Sequence, residues 1–349
     1  MMTRTIDFRF RVIRNGGDLC ELQPANNAMP VISMDETNSI KTGFSGEFRI
    51  PSAEINWLTD EIRPEMILNG VRHRLGVFMP NKVDETDNGI SRFLKITAFD
   101  RGWLVRDNRA ETRPFFAAGT NYLEAVGSAL AASGIGSISE VPTDAVLAED
   151  REDWEAGTSW LDVVNQLLSE INYKSVWFNA DGTCMLEPIS TPTAENINHT
   201  IDENEVESLL TPGYQKVTDF YETPNVFICV CSNPDKAEAL VATAENTNPQ
   251  SPLSIPRRGR RICQVLYVDN IPNLAELQVY ADRQVTESML TGETFQIQTA
   301  LLPGYGVGDV TALRYGEILS VCREKAWNMQ LGVGGKMTHT LERVILNLG

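Results

Sequence analysis

Histidine is scarce in this chain. His73, His199 and His339 are the only three, and none lies near another histidine or a cysteine. A His/Cys metal site is therefore not readable from the spacing, and no metal or cofactor is expected. The six cysteines are scattered too: Cys20, Cys184, Cys229, Cys231, Cys263 and Cys322. Only Cys229 and Cys231 are close, inside the apolar run Val-Phe-Ile-Cys-Val-Cys. A strand points residues i and i+2 to one face, so the pair reads as two small core side chains. All six are read as free thiols. Long apolar runs are missing as well. Stretches such as Phe227–Cys231 and Ala129–Ala132 fall far short of the ~20 residues of a membrane span. The N-terminus, Met-Met-Thr-Arg-Thr-Ile-Asp-Phe-Arg-Phe, is an alternating strand without the apolar core of a signal peptide. The expectation is a soluble protein made in the cytosol, with no membrane insertion.

Basic residues are nearly absent from the middle of the chain. The whole sequence carries 30 basic and 47 acidic residues over 349 positions, net −17. Residues 1–116 hold sixteen of each sign, residues 117–210 hold two basic and seventeen acidic, and residues 211–349 are net −2. So sharp a shift marks candidate boundaries, giving segments 1–116, 117–210 and 211–349. It also excludes nucleic-acid binding through the middle segment, because phosphate contacts need Lys and Arg. The length suggests two or three domains and a core large enough to need no disulfide or metal staple. At 42% hydrophobic and 22% charged, the composition excludes disorder, collagen and coiled coil as the main state.

Catalytic patterns are missing where they would be visible. Gly304-Tyr-Gly306-Val-Gly308 invites a nucleotide-loop reading, but that loop must open a helix. Here Asp309-Val-Thr-Ala-Leu follows, a strand, and no Lys-Ser or Lys-Thr follows. A bent strand connection explains the glycines. No Gly-x-Ser-x-Gly elbow occurs. Carboxylate pairs such as Glu149-Asp150 and Glu152-Asp153 read as a solvated loop, since adjacency is uninformative among 47 acids. The basic cluster Pro256–Arg261 also reads as solvated, with an acidic surface on another subunit as its alternative partner. No catalytic, cofactor-binding or metal-binding residue is assigned, and no enzyme activity is expected.

What is present is strand grammar around a helical middle. Ile6, Phe8, Phe10 and Val12 alternate with charged residues. Strands are expected at Lys41–Ile50, Glu65–Asn69, Arg72–Met79 and Arg92–Asp100, with turns at Asn69-Gly70 and Asp87-Asn88-Gly89. In the middle segment, Asn121–Ala132 has helical spacing and ends at Gly134. A second helix runs from Trp160 to about Ile171, capped by Thr158 or Ser159. A hairpin follows, Ser175–Asn179 and Thr183–Glu187, turning at Asp181-Gly182. The last segment is expected to hold strands at Tyr214–Tyr221, Asn225–Ser232 and Ile262–Asp269, a surface loop over 243–260, and a helix from Pro272 to about Leu290. Strands then follow at Glu293–Ala300, Asp309–Arg314, Glu317–Arg323, Trp327–Gly332 and Met337–Leu346. Glu47–Phe78 and Thr294–Cys322 share a layout of strand, proline, acidic turn, strand, glycine turn, strand. Two barrels of one type bracketing an acidic insert would produce it, although antiparallel sheets share such grammar widely.

The middle segment reads Asn-Tyr-Leu-Glu-Ala-Val, then Asp153-Trp154-Glu-Ala-Gly157-Thr158-Ser159-Trp160-Leu161-Asp-Val-Val-Asn-Gln-Leu-Leu, then Phe178-Asn-Ala-Asp181-Gly182. It resembles the baseplate hub proteins of phage tails and contractile injection systems, including the late-control-D and PBSX-type tail hub families. Tyr280-Ala-x-Arg283, Leu302-Pro-Gly-Tyr-Gly-Val-Gly308-Asp309-Val and Met337-Thr-His-Thr-Leu-Glu-Arg-Val are similar to later motifs of those families. The resemblance covers most of residues 40–349 and rests on layout motifs. It implies an α+β, mainly β fold: two tail-tube-like β-barrels bracketing a small α+β insert. It further implies a homotrimer whose pseudo-sixfold ring adapts the sixfold tail tube to a threefold spike or tip. The implied partners are the tail tube protein, the spike or tip protein, other baseplate proteins and the tape measure protein. DNA would pass through the lumen without specific binding. The location implied is the virion tail or particle baseplate, assembled in host cytoplasm. The chain ends at Gly349, directly after the last expected strand, so no lysozyme or peptidase domain is expected. Alternatives are an all-β hydrolase or carbohydrate-binding protein, and an adhesin, although no repeats or glycine-rich shaft are visible. The excess acid of 117–210 is expected to face outward or toward neighbouring baseplate proteins.

Overall fold

The structure, a computed structural model, describes residues 4–25, 27–87, 89–190, 192–205, 210–218, 223–231, 239–268, 271, 273–290 and 293–343. Among the described residues it is mainly β, with 44% strand and 15% helix in five helices. The elements begin β1 (Ile6–Arg14), β2 (Gly17–Leu22), β3 (Val31–Asp35), β4 (Thr42–Arg49), β5 (Glu61–Leu68), β6 (Val71–Arg74), β7 (Phe78–Asp87) and β8 (Arg92–Asp100). Then come α1 (Gly102–Asp107), α2 (Tyr122–Ala132), β9 (Ile138–Glu140), α3 (Trp160–Glu170), β10 (Trp177–Phe178) and β11 (Cys184–Leu186). The remainder is β12 (His199–Asp202), β13 (Tyr214–Thr218), β14 (Val226–Cys231), β15 (Leu240–Glu245), α4 (Ile255–Arg258), β16 (Cys263–Val268), α5 (Leu274–Leu290), β17 (Glu293–Ala300), β18 (Val310–Tyr315), β19 (Ile318–Gln330) and β20 (Lys336–Arg343). These form two compact units. One takes residues to Pro188 plus 299–307 and 326–338; the other takes 189–298, 308–325 and 339 onward.

In the first unit the antiparallel order is β2–β1–β5–β7–β8–β4–β3, with β6 on β5 and Ala326–Gln330 of β19 on β3. The period of two in β1 turns Phe10 and Val12 inward, where both are buried. They meet Phe44, Phe48, Phe78, Ile62 and Ile96 from the other strands. The Phe10 and Phe48 rings lie edge to face at 5.3 Å, and the Phe44 and Phe78 rings lie tilted by 30° at 5.5 Å. Asn69-Gly70 joins β5 to β6 with φ of 50° and 83°, the conformation a two-residue hairpin needs. Past the end of β2 the chain returns to β4. Ala25 N–H donates to the Glu47 carbonyl at 2.9 Å, and Arg49 N–H to the Gln23 carbonyl at 2.8 Å.

A second core in this unit belongs to the helical segment. Val126, Leu130, Leu161, Val164, Leu167 and Leu168 are all buried together. Asn121 caps α2 by accepting from Leu123 N–H at 2.8 Å. Of the two candidate caps of α3, Ser159 does the work, accepting from Leu161 N–H at 3.2 Å. The expected hairpin becomes β10–β11, and β9, which was not expected, joins β11 in parallel.

In the second unit the order is β12–β18–β19–β20–β17–β13, with β12 parallel to β18. A separate sheet, β15–β14–β16, packs one face on α5 through Phe227, Cys229, Cys231, Leu277, Ala281 and Val285. Cys229 and Cys231 are thus core residues, and all six cysteines are free.

Three expectations need correcting. Glu317–Arg323 and Trp327–Gly332 are one strand, β19, because the intervening Glu324 turns inward instead of making a turn. The loop over 243–260 contains the end of β15 and the helical turn α4. Ala242 and Ala244 alternate onto α5, a signal too small in side-chain volume to stand out. The single strand expected over Arg72–Met79 is two, β6 and β7, parted at residues 75–77, where Gly76 takes a φ of 136°. The chain also holds β2, β3, β12 and α1, for which no expectation was made. Asn88, 219–222, Ser232, Asp269, Pro272 and 344–346 lie outside the described residues, so expectations there go no further.

Candidate functional site

The chemistry-bearing side chains of the second unit gather where β12, β18, β19 and β20 run together. Parallel pairing sets His199 opposite Thr311, and antiparallel pairing sets Val310 opposite Arg323. His199 Nε2 lies 2.8 Å from Asp309 Oδ2. His339 Nδ1 lies 3.0 Å from Glu324 Oε2, and both of these side chains are fully buried. Glu324 N–H donates to the Asp309 carbonyl at 2.7 Å, linking the two dyads through the backbone. Burial pushes the Glu324 carboxyl above the ordinary range. His339 and then His199 pull it back, and Asp309 adds to the rise. Glu324 Oε1 has no hydrogen-bond partner.

Such dyads could orient a base, but a nucleophile must be available too. The thiol that feels Glu324 is Cys322, and burial pushes it up to about 12, with Glu324 adding to the rise. At neutral pH it is a thiol, which is the unreactive form. Among the described residues no group of three or more His, Cys, Asp or Glu is arranged to hold a metal ion. Sequence reasoning missed this cluster. The available signal was parity: Met337, His339 and Leu341 share the inward face of β20, as Cys322 and Glu324 share that of β19.

In the acidic segment, Arg151 is far from solvated. Its side chain is 2% exposed and bonds Glu170 at 2.6 and 2.9 Å and Asp153 at 2.5 Å. Burial works against its charge, but the bonds to Glu170 and Asp153 outweigh that and hold its pKa above the ordinary value. Tyr122 OH also donates to Glu170, at 2.9 Å. Asp150 accepts from Ala118 N–H at 2.7 Å. Glu149, Asp150, Glu152 and Asp153 are exposed. The Gly304–Gly308 stretch leads into β18, with φ of 94° at Gly304 and 69° at Gly308. The basic cluster is partly engaged: Arg258 donates to the Thr223 carbonyl at 2.6 Å, and Arg261 bonds both oxygens of Glu245 at 3.0 and 2.5 Å.

No protein-family model and no curated protein sequence matches the chain. Its fold does match solved structures, among them tail proteins. A tail protein from Neisseria meningitidis MC58 superposes with a TM-score of 0.70 at 14% identity, covering 96% of each chain. The 43 kDa tail protein of prophage MuSo2 from Shewanella oneidensis gives 0.68 at 7% identity, over 96% of this chain and 98% of that one. The Escherichia coli c3393 protein, a component of the type VI secretion system described as similar in structure to T4 phage tail proteins gp27 and gp5, gives 0.50 at 8% identity over 99% and 75%. The structural neighbours are therefore phage tail and type VI secretion proteins, in keeping with the hub resemblance of the sequence.

Proposed function

We propose that this chain is a structural baseplate hub of a phage tail or contractile injection particle, joining the tail tube to its spike or tip. The observation that carries this reading is the shared fold with tail proteins over 96% of the chain. In this reading residues 1–116 and 211–349 are two tail-tube-like β-barrels and residues 117–210 an acidic insert. Three copies then supply six barrels, a pseudo-sixfold ring that meets a sixfold tube on one side and a threefold spike on the other. A barrel in the first unit is supported by the order β2–β1–β5–β7–β8–β4 and by the two backbone bonds that bring the chain after β2 back to β4. The strands of 211–349 that run together are β18, β19, β20, β17 and β13, joined at β18 by β12 from the end of the insert segment.

The role is structural rather than enzymatic. The buried Glu324–His339 pair lies between strands, and Cys322 stays protonated, so the cluster supports packing. The hub's partners in this reading are the tube, spike, tape measure and other baseplate proteins. DNA passes through the lumen without specific binding in this reading, and the excess acid of residues 117–210 faces outward or toward neighbouring baseplate proteins. Electron microscopy of particles carrying an epitope-tagged chain tests the reading: label belongs at the tip end of the tube. Label along the tube or at a head, or peptidoglycan degradation by the purified chain that one acidic substitution abolishes, would overturn it.

A further inference from the structure

The sheet β15–β14–β16 has two faces, and α5 covers only one. The sheet is mixed, with β15 antiparallel and β16 parallel to β14, and a sheet face left to solvent is ordinarily polar. Here one row of the outer face is wholly apolar, Val230 pairing with Val241 on one side and Tyr267 on the other, and the next holds Ile228 between Thr243 and Val265; Glu245 lies at the Val226 end. Val241 is 52%, Val265 47% and Tyr267 80% exposed. Scattered apolar residues need no explanation, but adjacent rows on one sheet face do. The loop entering β16 adds charge at one end of this face. Asn225 donates to the Arg260 carbonyl at 3.0 Å and accepts from Ile262 N–H at 2.7 Å, which fixes the loop beside the start of β14. Arg257 and Arg260 are exposed there.

The complementary surface is on the same sequence. Val141 and Val146 are 46% and 53% exposed, amid exposed Glu140, Asp144, Glu149 and Asp150. We infer that the outer face of β14–β16 docks onto the 140–155 surface of a second copy of this chain, apolar rows against Val141 and Val146 and Arg257 and Arg260 against the acids. Two different patches make a heterologous contact, which repeats into a ring when its rotation closes and into an open filament when it does not. The inference rests on the ring reading above and names the surface that builds it.

The test uses the full chain in sedimentation velocity over a concentration series at low salt. It is run alongside thiol labelling of Cys263, which is exposed on the same face. Wild type should self-associate, with Cys263 labelling slowed about tenfold on association. Tyr267→Glu and, separately, Val241→Glu should each raise the dissociation constant roughly tenfold or more. Reversing Arg257 and Arg260 to Glu should do the same, more weakly at high salt. Adding Asp144→Lys and Glu149→Lys to that reversal should restore association to within about threefold of wild type. All these side chains are exposed, so far-UV circular dichroism should be unchanged. Association that none of the variants weakens would overturn the docking surface and leave the trimer reading standing. Association that the variants abolish, but that closes at a number other than three, would support the surface and sink the threefold ring. A chain that stays monomeric throughout, with Cys263 freely reactive, would overturn docking onto a second copy.

Discussion

Replacing Arg151 by Met keeps the apolar stem of the side chain and removes its charge. Glu170, 9% exposed at its side chain, then loses both guanidinium bonds and keeps only the Tyr122 hydroxyl. Breaking one side of a buried pair leaves an uncompensated charge and costs about 3–5 kcal/mol. Against a total of about 5–15 kcal/mol, that is a large fraction. In urea, with a slope of about 3 kcal/mol per molar, the midpoint should fall by more than about 1 M. Replacing Glu170 by Met as well removes the orphaned charge, so the double variant should recover most of the loss. The pH dependence has a defined sign. Without Arg151 the folded-state pKa of Glu170 rises further above its unfolded value. The folded form then takes up a proton as pH falls, and the deficit of the single variant shrinks toward acid. Urea denaturation followed by tryptophan fluorescence reads this directly, since Trp154 lies 5.1 Å under the Arg151 guanidinium. A loss below about 1 kcal/mol, or a double variant no better than the single, would refute the view that this pair is a buried structural tie.

Burial raises the Asp100 carboxyl to about 6, against backbone bonds from Gly102 and Thr42. Its folded pKa exceeds its unfolded value, so wild type should gain stability relative to Asp100→Asn as pH falls from 7 to about 4, by up to ~3 kcal/mol. Denaturation series on both proteins should show that difference, and parallel pH curves would contradict it. A methyl group at Gly335 would meet the Gln330 carbonyl oxygen at 2.0 Å, whereas one at Gly70 meets nothing within 4 Å and suffers only its φ of 83°. Gly335→Ala should therefore cost ~2–3 kcal/mol and Gly70→Ala about 1, read from melting midpoints. Among the six cysteines, Cys263 should react first with a thiol reagent. Cys184 and Cys322, both pushed up to about 12 by burial, should wait for unfolding; rapid labelling of either in the native protein would count against their placement.

Local signals carried much of the fold. Asn69-Gly70 marked its hairpin because positive φ at two successive positions is costly for most other residues. Leu123, Val126 and Leu130 marked their helix because residues three and four apart share one helix face. Strand β3 left no such mark: Val31–Asp35 exists by pairing with Thr42–Ser45 and Ala326–Gln330, the latter some 300 residues away. For the same reason the sequence shows a break between Arg323 and Trp327, since Glu324's partner His339 becomes visible only once β19 and β20 are side by side. Arg151 looked like one charge in an acidic linker; its bidentate bond to Glu170 depends on how α3 packs. Surface chemistry was least legible. The apolar rows of β14–β16 follow from strand register, which composition does not contain.

The central claim is that this chain forms the hub of a tail by supplying two barrels per copy to a ring of three. A cryo-electron microscopy map of the assembled particle, refined without imposed symmetry at the junction of tube and spike, tests it most directly. The account predicts three copies around the axis, with residues 1–116 and 211–349 alternating as six barrels beneath the sixfold tube. Six copies in that ring, or this chain located elsewhere in the particle, would contradict it.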